Sequence, residues 1–322
     1  MIRRRTLVAA ALTSPLFQSL AWSQSAFPNR PVKIIVPLQA GGSADISTRI
    51  IADSLQHRLK QPCIVENKPG GSFVIGMQAM RMAQPDGYTL ISINSGMMAA
   101  QATMKRFDML KSLSMITQYS KTPTLFAIPA KSRFKSFAEL IEFARKNPGK
   151  LNFGSVGTGG LEHLWVTMFG QAVGASFTQI PFKGMPDALT ALVQGELDFV
   201  PCVLSTALPF VNKGILKSLC VLSNERTTAL PDVPSIKELG VSVAPMEFWS
   251  GLAAPQGTPA GVIEKLRQSI VDVLAEPELQ QKMISRGVTV VNNVSSDGFA
   301  SLLKDDQLWM NKVATEFDIR VD

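Results

Sequence analysis

The stretch Val32-Lys33-Ile34-Ile35-Val36-Pro37-Leu38-Gln39-Ala40-Gly41-Gly42-Ser43-Ala44-Asp45 reads as an apolar strand, a glycine turn and the start of a helix. Val32 to Val36 is a compact β-rich run that Pro37 ends. Beyond Gly41-Gly42, the apolar residues Ile46, Ile50, Ile51, Leu55 and Leu59 fall on one helical face. A second segment repeats the theme. Gly154-Ser155-Val156-Gly157-Thr158-Gly159-Gly160 precedes a helix with Leu161, Leu164, Trp165, Met168, Phe169 and Ala172 on one face. Glycines let backbone approach a ligand, and a helix start offers unpaired N–H groups at the positive end of the helix dipole. Such loops take carboxylate or phosphate. Each alone is equally a short strand-to-helix connection, with Ser43 and Thr158 as N-caps. Two of them, one in each half of the chain, point to a carboxylate held between the halves.

Outward from these loops the chain alternates strands and helices. Strands are expected at 63–66, 88–93, 125–128, 151–153, 177–181, 197–200 and 216–222. Helices are expected near 74–83 and at 136–146, 161–173 and 186–194. The tail reads as three helices (259–274, 277–286, 296–317) with a short strand at 288–291. The expected fold class is α/β: two doubly wound α/β domains, their parallel sheets covered on both faces, with a ligand cleft between them. Residues 26–122 and 247–322 form the first, discontinuous domain, and 123–246 the second.

Composition narrows the function. The 322 residues include 32 Lys+Arg, 25 Asp+Glu, only two His and three Cys. That is poor equipment for a metal centre or a disulfide scaffold, so no metal, cofactor or catalytic residue is assigned. Residues 1–25 read as a secretory signal peptide: Arg3-Arg4-Arg5, an apolar run from Thr6 to Leu20 broken by Ser14, Pro15, Gln18 and Ser19, then small polar residues. Export to the periplasm by the Sec or the twin-arginine route is expected. Removing that segment takes away three arginines and no acid, leaving +4 of the formal +7. Nothing in that balance calls for nucleic acid. Cys202 and Cys220 could pair in an oxidising compartment, or all three cysteines could simply pack. Ser155 lacks the Gly-x-Ser-x-Gly elbow of a serine hydrolase, with only His163 near it in sequence, so a hydrolase is a distant alternative.

Several segments resemble the tripartite tricarboxylate transporter receptors, also called Bug proteins. They are Arg30 to Pro37 with Gly41 to Asp45, Val65 to Gly70, Pro85-Asp86-Gly87-Tyr88-Thr89-Leu90 and Asn147 to Asn152. Pro181-Phe182-Lys183-Gly184, Ala229 to Pro234 and Ala254 to Pro259 complete the ordered set. The resemblance implies a monomeric periplasmic solute-binding protein of two α/β domains, closing on a small carboxylic acid for a membrane permease. A ligand-sensing subunit for a membrane sensor kinase would look the same. It further implies that backbone amides and bridging waters hold the carboxylate. By position these belong to Gln39, Ala40, Gly41 and Gly42 in the first loop and Ser155, Thr158, Gly159 and Gly160 in the second. Asp45 complements the helix dipole or meets an amine; Ser95 and Lys183 are further candidates. Cys202, the Ser95-Gly96-Met97-Met98 loop and Phe182 depart from the family pattern by losing polar groups. That suggests a more apolar far wall, suited to a monocarboxylate with an apolar or aromatic body as well as to di- and tricarboxylates or amino acids.

Overall fold

The computed structural model describes residues 27–321, so the expected signal peptide lies outside the described residues. The elements run β1 (Val32–Val36), α1 (Ser43–Leu59), β2 (Cys63–Asn67), α2 (Val74–Arg81), β3 (Thr89–Asn94), α3 (Ser95–Met104) and α4 (Met109–Ser112). A long strand β4 (Leu113–Pro129) follows. Next come α5 (Phe137–Lys146), β5 (Asn152–Val156), α6 (Leu161–Val173), β6 (Thr178–Phe182), α7 (Met185–Gln194), β7 (Val200–Val203), α8 (Leu204–Asn212) and β8 (Leu216–Val221). The chain ends with β9 (Glu247–Pro255), α9 (Ala260–Leu274), α10 (Pro277–Ile284), β10 (Thr289–Val290) and α11 (Ser296–Glu316).

β1 is buried at four of its five positions and pairs in parallel with β2 and β3. A strand covered on both faces needs the near-continuous apolar run that it carries. The sheets are not wholly parallel as expected. β9 runs antiparallel to both β3 and β4, because it is the strand that brings the chain back. The first part of β4, Leu113 to Pro123, pairs with β9, and Thr124 onward pairs with β7 and β8. One strand therefore belongs to two sheet regions and joins two lobes. β5 and β6 pair in parallel and reach β7 through a Phe153–Phe199 bridge.

The largest core cluster runs from one lobe into the other. It includes Ile91, Met97 and Phe299 on one side and Phe126, Trp165 and Phe199 on the other. Trp165 stacks on Phe169 at 5.0 Å, and Phe126 stacks on Phe199 at 4.4 Å. Separate clusters fill the outer face of each lobe. Cys202 belongs to the outer cluster and Cys220 to the inner one, on strands that flank β4 on opposite sides. Two strand spacings and opposite sheet faces put them beyond disulfide reach, and both thiols are free.

Other expectations shift locally. Residues 95–98 are not a loop but the first turn of α3, capped by Asn94, whose Oδ1 accepts the Met97 N–H at 3.2 Å. The strand expected at 197–200 lies at 200–203. Gly42 and Gly160, not Ser43 and Thr158, are the N-caps of α1 and α6. Among the described residues no helix is long and apolar enough to cross a membrane.

Candidate functional site

The two glycine loops face each other across the gap between the lobes. Behind them lies a cavity of about 40 Å³, space for on the order of three waters. Its wall collects the starts of six helices: Gly42 and Ser43 at α1, Phe73 at α2, Asn94 and Gly96 at α3, Gly160 to Glu162 at α6, Gly184 to Pro186 at α7, and Val203 with Thr206 at α8. Leu38, Gln39, Val156 and Phe248 complete it. Helix N-termini carry orphan N–H groups and a partial positive charge, so the convergence favours an anion without a cationic side chain. Among the described residues no Lys, Arg or His stands on this wall.

Three wall residues carry a buried polar atom with no partner among the described residues: Gln39 Oε1, Asn94 Nδ2 and Thr206 Oγ1. In each amide the other end is held. Gln39 Nε2 donates to Asp187 Oδ1 at 3.3 Å, and Asn94 Oδ1 caps α3. A buried polar group left unpaired costs roughly 1–3 kcal/mol, so these three wall residues carry a polar surplus that the apolar part of the wall does not satisfy.

The lobes already touch across the gap. Ser205 Oγ donates to Ser43 Oγ at 2.7 Å, and Thr103 Oγ1 donates to the Gly159 carbonyl at 3.0 Å. A Cβ on Gly184 would lie 2.8 Å from the Gln39 Cβ, and one on Gly157 2.8 Å from Ser72 Oγ. These contacts join residues of the 26–122 segment to residues of the 123–246 segment. A wider groove of about 270 Å³ shares Leu38, Phe73 and Val156 with the cavity and carries Lys183 on its rim.

Of the residues singled out from sequence, Gln39, Gly42 and Gly160 stand on the cavity wall. Ala40, Gly41 and Thr158 are exposed beside it. Gly41 has φ +81° with open space around its Cβ position, so it is the turn, not close approach, that requires glycine there. Asp45 is buried off the wall, where it accepts from the Gly41 N–H at 3.0 Å, from Arg49 and from Asn67. Burial alone would raise its pKa, but these bonds outweigh burial and hold the carboxyl below the usual range. Ser155 Oγ donates to the Gly157 carbonyl and accepts from Gln179, bracing the second loop from behind. Gly159 packs on Thr103, Ser95 is buried behind the wall, and Cys202, Met97 and Met98 are fully buried in the cores, off the wall. Burial pushes the Cys202 thiol far up.

Sequence reasoning missed Asn94, Glu162, Thr206 and Phe248. Glu162 is the most consequential. It sits in the first turn of α6, 5% exposed, and burial pushes its carboxyl up to about 7. Its hydrogen bonds come from backbone N–H groups, that of Val156 at 3.4 Å. Its signal was a lone acid among the apolar residues that follow a glycine loop.

A family model described as "Tripartite tricarboxylate transporter family receptor" matches residues 47–317, so the chain belongs to that family of receptors. One curated relative, a UPF0065 protein of Bordetella pertussis, is 33% identical over 84% of each chain. The solved periplasmic binding protein BugD is similar at TM-score 0.85 and 29% identity, over 91% of this chain and 99% of that one. A Rhodopseudomonas palustris protein solved with adipate is similar at TM-score 0.87 and 26% identity, over 91% and 99%.

Proposed function

We propose that the protein is a periplasmic solute receptor whose lobes, residues 26–122 with 247–322 and residues 123–246, close on a small carboxylic acid and deliver it to a membrane permease. The observation that carries this reading is the convergence of six helix starts on one cavity without a cationic side chain. A carboxylate fits there because the N–H groups and dipoles are fixed before it arrives. Gln39, Gly42 and Gly160 meet the acid directly or through water. Ala40, Gly41, Asp45, Ser155, Thr158 and Gly159 shape the two loops, and Lys183 draws anions to the rim. The cavity takes the carboxyl group, and Leu38, Phe73 and Val156, which it shares with the wider groove, suit an aliphatic or aromatic body lying there. The bound adipate of the R. palustris relative supports the ligand class.

The test is native mass spectrometry of protein purified from the periplasm, followed by thermal-shift titration with adipate, succinate, citrate, glutamate and benzoate. A co-purified acid, or a melting point raised by at least one of the panel, is the expected result. A protein that carries no acid and responds to none refutes the reading.

A further inference from the structure

We propose that Glu162 is a specificity-determining residue that binds the solute as a neutral carboxylic acid, donating its proton in a hydrogen bond to the captured carboxylate, so that each anion enters with one proton. This rests on the carboxylate-receptor reading above.

The geometry leads there in three steps. Glu162 stands on the cavity wall and is 5% exposed, so its carboxyl shares about 40 Å³ with any guest. Among the described residues no cation faces it. On its own helix, His163 is turned away and accepts the Gly159 N–H at Nδ1. β7 brings the buried Cys202 thiol. α7 brings Asp187, bonded to Gln39, while Lys183 at its approach lines the outer groove and not the cavity. Asp45 on α1 is paired with Arg49, and Glu247 on β9 with Lys121. A second carboxylate placed beside an ionised Glu162 would meet like charge in a water-poor site, which shifts the proton onto one of the pair.

Burial already holds the Glu162 carboxyl up to about 7 without a guest. A bound anion raises it further, so binding takes up a proton above that pH. Affinity is then full below pH 7 and falls about tenfold per pH unit above it. No bond is broken: solvent supplies the proton, and it remains on Glu162 as the donor. The hydroxyl of Thr206 and the amide of Asn94 are the other donors on this wall, and Gln39 Oε1 the unpartnered acceptor.

The experiment is isothermal titration of the full chain with adipate, succinate, glutamate and benzoate, at pH 6.0 to 8.5, in two buffers of different ionisation heat. The wild type is expected to take up close to one proton per acid at pH 8 and to bind at least tenfold more weakly at pH 8.5 than at pH 6.5. Glu162→Gln keeps a neutral donor, so it is expected to retain the pH 6 affinity at every pH with no proton uptake. Flat wild-type affinity without proton uptake overturns the role of Glu162 and leaves the receptor reading standing, as does a proton released on binding, which would mean an ionised Glu162 meeting an amine. No binding by either protein at any pH overturns both.

Discussion

Ser205 at the start of α8 donates a 2.7 Å hydrogen bond to Ser43 at the start of α1, two buried hydroxyls 162 residues apart that latch the lobes together. Each sits at a helix N-terminus, and Ser43 lines the cavity. On the proposed closure the bond exists only in the closed form, so its free energy belongs to ligand affinity and not to either lobe's stability.

Ser205→Ala therefore weakens binding of the best acid in the panel by about two- to tenfold, the effect of one neutral hydrogen bond. The melting point of the ligand-free protein stays within about 2 °C. Calorimetry on the variant reads both numbers, and an unchanged affinity removes the latch.

Gly184→Val tests closure by bulk. Gly184 has φ −166°, extended backbone that any residue adopts, so valine brings no strain of its own. Its Cβ would instead meet Gln39 across the gap. Overpacking of this kind costs roughly 1–3 kcal/mol, and here that falls on the closed form alone. Small-angle scattering should show a more open molecule, and affinity should drop at least tenfold. A variant that closes and binds like wild type contradicts the approach of these two loops.

Asp45 secures the first loop through the Gly41 N–H, Arg49 and Asn67. Because its pKa is lowered, its contribution to stability is present above the ordinary aspartate range and is lost as pH falls through the lowered native value. Asp45→Asn should lose on the order of 1–2 kcal/mol at pH 7, with the difference from wild type shrinking toward pH 3. Denaturant melts at both pH values check it.

Glu162 has the opposite sign. Its native pKa of about 7 stands above the ordinary glutamate value, so its contribution to stability is full below pH 4.5 and is lost as pH rises from there to about 7. The loss is on the order of 3 kcal/mol. Ligand-free Glu162→Gln should thus melt several degrees above wild type at pH 8 and close to it at pH 4. Equal melting points at pH 8 would mean that Glu162 ionises there without penalty.

Much of this architecture was legible in local pattern. β1 and α1 follow from an apolar run and a 3.6-residue period, and α5, α6 and α7 from the same period with turn residues between them. The first part of β4 was not legible, because Thr117, Gln118, Ser120 and Thr122 are polar yet buried in the pairing with β9, Ser120 also against β10. Such positions are satisfied by neighbours from other parts of the chain. α3 is buried over nine of its ten residues and shows no amphipathic period. α8 starts without a side-chain cap and contains Pro209. The same holds for the site. The two glycine loops announce themselves locally, but Asn94, Thr206 and Phe248 reach the wall only through tertiary packing, and Glu162 has beside it Cys202 of β7, far along the chain.

The central claim, a carboxylate held by converging helix N-termini, is tested most directly by titrating the protein at pH 6.5 with adipate and benzoate against their methyl esters, which keep the apolar body and lose the charge. Capture by backbone N–H groups predicts binding of at least one free acid and a loss of a hundredfold or more in its ester. Equal affinity for acid and ester would contradict it.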